Sequence, residues 1–325
     1  MPSLSPEQGL AQLIRHANGI DCKPAHLSPS LVRRQRLGPL AYSLGFSEFK
    51  RDFVEHALFA DLRKMELSKL FDLLAEKEIR VSLLKGISYC KTIYADPAER
   101  SMGDVDLLVE PSNFSAAKSL IEASGYAART NPKEASSAHH AVTLDKGKLT
   151  IDLHRHIFQP GRSSVDMKGM WDRAEHASDW NLNVYRLCAE DELILHLLHI
   201  ARSEFMVSAI SYVDIPRLEK RAGLTRAQLL RIAKEYRIQR ALKSVLDLSD
   251  AIHEMPIHSP KFSRSRQRSW QLLPSPNEVL GLAPLSRARR ILLKASLSEG
   301  FQELIGFGHT FLAEQREIWQ RSRRE

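Results

Sequence analysis

Cysteine is scarce in this chain. There are three, Cys22, Cys90 and Cys188, widely spaced and odd in number. That spacing offers neither a disulfide framework nor a zinc cluster, and a reducing, cytoplasmic setting is the expectation. Long apolar runs are also missing: no stretch approaches the roughly 18 uninterrupted apolar residues that argue for a membrane helix. The opening segment MPSLSPEQGLAQLIRHANG has no basic start followed by an apolar core, so no secretory signal is expected. Neither a Walker A pattern nor GxGxxG occurs, which argues against P-loop and dinucleotide-binding enzymes, and there is no HExxH.

What is present is ordinary in bulk and uneven in detail. Hydrophobic residues make up 43% and charged residues 26% of 325 residues, as in soluble globular chains long enough for two domains, or for one with a large appendage. The net charge is +8, but the stretch from Lys261 to Glu325 holds 12 Lys and Arg against 6 Asp and Glu. Such a basic end is either a solvated helical surface or a docking surface for a polyanion, and charge alone does not separate the two.

Periodicity divides the chain into three stretches. Residues 1–78 read as helical, with apolar positions Phe53, Ala57, Leu58, Leu62, Met65, Leu70 and Leu74 repeating at helical spacing. Residues 79–182 read as a small α/β unit. It has a strand at Val81–Leu84, a helix near Ser88–Tyr94, a strand at Asp104–Val109 and a helix from Ser112 or Asn113 to Gly125. Two further strands, His140–Leu144 and Leu149–Ile157, are joined by an Asp145–Lys148 turn. Residues 183–325 read as helical again, with a loop over 256–284 carrying five prolines and a last helical segment from Ser286 to Trp319.

The chemistry concentrates in the middle stretch. Asp104 and Asp106 lie two apart on one strand and so share a face, away from Val105, Leu107 and Val109. Paired carboxylates on a buried strand make a poor core and a good clamp for a divalent cation. Asp-x-Asp alone is common, and three neighbours give it weight. Lys85-Gly86 ends the preceding strand, where a glycine lets backbone amides approach phosphate and Lys85 and Ser88 add a cation and a hydroxyl. Arg100, four residues before Asp104, suits phosphate oxygens. Asp152 alternates with Ile151 and Leu153 and shares its face with Thr150, His154 and His156, the opposite face being Ile151, Leu153 and Ile157. If that strand lies beside the first, Asp152 completes a carboxylate triad.

Other groups carry blander readings. His196 and His199 are spaced for one helix face, where packed core histidines are commoner than metal ligands; an intermediate reading has them, with Arg202, facing the cleft. Asp214 serves equally as a helix cap or an ion-pair partner, His139-His140 falls in a loop, and Trp171 and Trp180 read as core.

These motifs resemble the DNA polymerase β-like nucleotidyltransferase superfamily, and within it a poorly characterised bacterial nucleotidyltransferase family. The resemblance rests on Leu84-Lys85-Gly86, Arg100 through Val109 (Arg-x-x-x-Asp-x-Asp-Leu-Leu-Val), Gly125-Tyr126 and Asp152-Leu153-His154. It covers about residues 80–160 well and reaches loosely to about 250. The 18-residue step from Gly86 to Asp104 is longer than in polymerases of the superfamily but is shared by the family. The resemblance implies an α+β fold, a small mixed-sheet core flanked by N- and C-terminal helical regions. It implies a nucleoside triphosphate such as ATP as substrate and Mg²⁺ or Mn²⁺ as cofactor, held by Asp104, Asp106 and Asp152. Lys85, Gly86, Ser88, Arg100 and His154 would contact the nucleotide. The acceptor, whether small molecule, peptide, saccharide or tRNA, carries no readable motif. Two other readings stand beside this one: an inactive nucleotide- or polyanion-binding module, and a toxin-like transferase acting on tRNA or protein.

Overall fold

The computed structural model describes residues 4–21, 23–129, 141–157, 165–180, 183–254, 272–281 and 283–298. Helices α1 (Pro6–Ala17), α2 (Pro29–Arg34), α3 (Gly38–Ser43) and α4 (Lys50–Glu76) lead into strand β1 (Val81–Leu84). Then come α5 (Gly86–Thr92), β2 (Val105–Val109), α6 (Phe114–Ala123), β3 (Ala127–Ala128), β4 (Ala141–Lys146) and β5 (Leu149–His154). They are followed by α7 (Met167–Asp172), β6 (Glu175–His176) and β7 (Val184–Arg186). Helices α8 (Ala189–Arg202), α9 (Ile210–Ala222), α10 (Arg226–Glu235), α11 (Gln239–His253), α12 (Pro276–Gly281) and α13 (Arg287–Ser296) complete the described chain.

The strands form one mixed sheet in the order β3-β4-β5-β2-β1-β7-β6. β2 runs antiparallel to β1 and parallel to β5, while β1 runs parallel to β7. With helices before and after it, this is the α+β architecture expected. One sheet face packs Leu83, Val105, Leu107, Ile151 and Leu153 against Leu67, Leu70, Phe71 and Leu74 of α4 and Ala117 and Ile121 of α6. On the other face Leu84 and Leu108 meet Met170 and Trp171 of α7 and Leu195 of α8. A third and larger cluster joins α1–α3 to α8–α13. Helix α8 therefore belongs to two cores. Leu195 packs toward the sheet, whereas Leu193, Ile194 and Leu197 pack among helices.

Local signals explain several boundaries. Ser5 and Gln8 form a reciprocal capping box at the start of α1, with Pro6 in its first turn, and Thr225 and Gln228 do the same for α10. Gly223, at φ 65°, ends α9 in the left-handed conformation that a side chain disfavours.

The structure also departs from the sequence reading. The apolar positions of α4 do not share one fate: Leu70 and Leu74 are buried on the sheet, but Leu58, Leu62 and Met65 are exposed. The sheet reaches only the C-terminal half of this 27-residue helix. β2 begins at Val105, leaving Asp104 just before it, and β5 ends at His154, so Ile157 joins the cluster opposite Ile151. The β4–β5 turn narrows to Gly147-Lys148, with Lys146 paired to Leu149. Part of the proline-rich stretch folds as α12, and β7 lies past residue 182 yet pairs with β1. Of the last helical segment only Arg287–Ser296 is described, and His139-His140 and the basic run Arg264, Arg266 and Arg268 of the proline-rich loop lie outside the described residues. No described helix is long and apolar enough to cross a membrane.

Candidate active site

The site is laid out by strand register. Leu84 pairs with Asp106, Asp106 with Asp152, and Asp152 with Thr143, so four strands present one row of side chains on the sheet face away from α4. His154 follows two residues after Asp152 on the same face. Candidate ligand atoms of Asp106, Asp152 and His154 all lie within 4.8 Å of one another. Two carboxylates and an imidazole are a donor set that suits a divalent cation. Asp104, also expected to hold the ion, is not part of this cluster; it is exposed and lies with Asp106 on the wall of the adjoining cleft.

The two central carboxylates are pushed in opposite directions. Asp106 is 6% exposed; burial raises its pKa, but Lys85 and His154 outweigh burial and hold it well below the usual carboxylate range. Lys85 Nζ lies 2.6 Å and His154 Nε2 3.0 Å from the same oxygen, Asp106 Oδ1. Asp152 moves upward: burial raises it first, and the charges of Asp106 and Asp104 add to that. A hydrogen bond from Thr143 Oγ1 to Asp152 Oδ1, at 2.6 Å, pulls the other way without winning. Neighbouring carboxylates separated like this divide their roles, one staying anionic and the other ready to take a proton.

Lys85 and Gly86 stand at the mouth of the row. Lys85 adopts φ 52° and ψ −129°, a conformation that normally belongs to glycine. Gly86 is required for a different reason: a Cβ there would lie 2.8 Å from Arg100 Nη1 and 3.3 Å from Met102 Cβ. Both residues line a cleft of about 270 Å³ between the sheet and the helices.

Two expected phosphate ligands are committed elsewhere. Arg100 also reaches the cleft wall, but its Nη2 lies 2.6 Å from Asp214 Oδ2 and its Nε contacts both Asp214 oxygens. Tyr94 Oη adds a 2.6 Å bond to Asp214 Oδ1, and Arg100 stacks on the Tyr89 ring. Asp214 is thus an ion-pair partner rather than a helix cap. Ser88 is fully buried and donates its hydroxyl to Glu192, because α5 turns that side chain toward α8 and away from the cleft. Glu192 also accepts from Arg221, and burial pushes its carboxyl up to about 7 despite that partner.

The helical side of the cleft carries His196 and His199 but not Arg202. Burial, with Lys85 adding to it, lowers His199 to about 3, so this imidazole is neutral near pH 7. His196 Nε2 donates to the Ser211 carbonyl at 2.8 Å, which leaves Nδ1 without the proton. Sequence reasoning missed Thr143, Arg36, Ser208 and Ser211. Thr143 had a usable signal, since it alternates with Val142 and Leu144 on a strand. Arg36 and the two serines are brought to the wall by long-range packing alone. Trp171 and Trp180 pack as core residues, Trp180 edge-on to Phe71 with ring centroids 5.0 Å apart.

No curated protein matches the sequence at a significant level. Among solved structures there is a loose likeness to the solution structure of the antibiotic-resistance factor ANT(2″)-Ia. The identity is 9% and the TM-score 0.41, with coverage of 57% of this chain and 96% of that one. The profile of the uncharacterised nucleotidyltransferase family matches residues 30–253, which spans Arg36, the whole sheet row and the histidines of α8; the chain belongs to that family.

Proposed function

We propose that this chain transfers a nucleoside monophosphate from a nucleoside triphosphate, ATP among them, to a hydroxyl or phosphate acceptor. The observation that carries the reading is the Asp106–Asp152 register pair, with Asp106 joined to Lys85 on the wall of a cleft. Asp106, Asp152 and His154 would hold a divalent ion, Mg²⁺ or Mn²⁺, with Asp104 reaching it from the cleft rim. When bound, that ion neutralises charge on the triphosphate and on the leaving group.

The remaining work falls to the chain's own groups. Lys85 and the Gly86 backbone meet the phosphates, while Arg100, held on Asp214, contributes positive charge at the cleft wall. Asp152, whose proton affinity is raised, accepts the proton of the acceptor. The acceptor oxygen then forms a bond to the α-phosphorus, the bond from that phosphorus to the β-phosphate bridge breaks, and pyrophosphate leaves. Neutral His196 and His199 face the same space from α8, where they contact nucleotide or acceptor. A reducing, cytoplasmic setting belongs to the same reading and agrees with the buried free thiols of Cys90 and Cys188. Polyanion docking through the basic C-terminal third gains no support from α13, where Arg289 pairs with Glu278 and both Arg290 and Lys294 pair with Glu204.

The test is nucleotide binding by calorimetry with and without Mg²⁺ or Mn²⁺. Wild type should bind the triphosphate in an ion-dependent way, and Asp104→Ala/Asp106→Ala should lose that dependence. Equal ion-dependent binding by both proteins would overturn the site assignment. Label carried on the α-phosphate should pass to a cellular acceptor fraction with wild type and not with Asp152→Asn.

A further inference from the structure

Asp106 Oδ1 already has a cation on it. Lys85 Nζ stands 2.6 Å away, on a carboxylate that belongs to the cluster of Asp106, Asp152 and His154. An ammonium and a divalent ion cannot both occupy one face of one carboxylate oxygen, because like charges at that distance repel strongly in a site this buried. The position of Lys85 is also built in. Its backbone takes a positive-φ conformation, φ 52° with ψ −129°, while the adjacent Gly86, which could adopt it freely, does not. Strain on a non-glycine residue at a site persists only when the surroundings hold it. Here the strained residue is the one that delivers the ammonium to Asp106.

The arrangement has a second end. Lys85 also lines the cleft that adjoins the sheet row, together with Gly86 and Arg36. A triphosphate in that cleft offers Lys85 a denser anion than Asp106 does, and a flexible four-carbon stem lets the ammonium exchange one for the other. On the nucleotidyl-transfer reading, on which this inference rests, we propose that Lys85 is an internal competitor for the divalent-cation seat. Without nucleotide it closes the seat. With a triphosphate in the cleft it moves to phosphate, and Asp106, Asp152 and His154 become free to ligate the ion. The protein then takes up its cation together with nucleotide rather than before it. Mn²⁺ is the better probe, because it takes the same carboxylate donors as Mg²⁺ and is paramagnetic.

The experiment is a Mn²⁺ titration of the full-length protein followed by electron paramagnetic resonance, without nucleotide and with a non-hydrolysable ATP analogue. Wild type and Lys85→Arg should bind Mn²⁺ weakly alone and more tightly with the analogue. Lys85→Gln should bind Mn²⁺ without nucleotide roughly tenfold tighter than wild type or more, since one positive charge has left the seat. Adding Asp106→Asn to that variant should abolish the gain, which assigns it to this carboxylate. Thermal melts verify that each variant is folded. Equal Mn²⁺ affinity of nucleotide-free wild type and Lys85→Gln would overturn the competition while leaving the functional reading intact, provided binding still needs Asp106. Absence of Mn²⁺ binding in every variant, with or without the analogue, would overturn both.

Discussion

Buried charge decides the behaviour of individual residues here. Glu192 is the clearest case. It is 1% exposed, touches Arg221 and Ser88, and still has its carboxyl raised by burial from 4.5 to about 7. Between those values the folded protein keeps a proton that the unfolded chain has lost. The stability this contributes is fully present below about pH 4.5 and disappears as pH rises through 7. Its size is about 3 kcal/mol, from the free energy equivalent of that displacement. His199, lowered to about 3, slopes the opposite way, because folding is opposed once the unfolded imidazole protonates. Comparing wild type with Glu192→Gln isolates the first effect. The stability difference, measured by urea unfolding, should shift in favour of the glutamine variant by about 3 kcal/mol between pH 4.5 and 7.5. A difference that stays flat across that range would refute the burial argument.

At the scale of elements, the segment between α5 and β2 is tied to α9 by an ion pair, with Tyr94 bonded to the same carboxylate. Arg100 sits in this segment and Asp214 in α9, and their side chains are 8% and 0% exposed. Removing one partner of such a pair strands the other in a low dielectric. Asp214→Ala should therefore cost about 3–5 kcal/mol in denaturant unfolding, and Arg100→Met/Asp214→Ala should recover a large part of it. A small loss in the single variant would mean that water reaches Arg100. The same pair shows where sequence reading stops. Alternation made Asp106 and Asp152 legible as inward carboxylates, because strand geometry has a period of two. It gave no hint that Arg100 would spend its fork on Asp214, or that Ser88 would face Glu192, 104 positions away. Helical periodicity likewise located an apolar face on α4 but not the length of sheet that would meet it. Leu58 at 62% exposure and Leu62 at 59% are the outcome. Pattern reports what a face could bury, and packing decides what it does bury.

Across the whole molecule, α8 ties sheet and helices into one folding unit. Leu195 belongs to the sheet-side core, while its neighbours Leu193, Ile194 and Leu197 belong to the helical core. Leu195→Ala should destabilise by about 2–5 kcal/mol. Hydrogen exchange should then quicken by the same factor at the slowest amides of β1 and of α11, since both would open only through global unfolding. Unequal acceleration would mean that two units unfold separately. The pairing of Asp106 with Asp152 reaches the same scale through the process of folding. A misregistered β5, displaced by one residue along β2, would swing Ile151 or Leu153 to the polar row and drive Asp152 into the apolar layer beneath α4. Such a chain forfeits its core and the carboxylate pair together. Hydrophobic collapse thereby proofreads the placement of the carboxylates, since the register that buries Ile151 and Leu153 is the one that sets Asp152 beside Asp106.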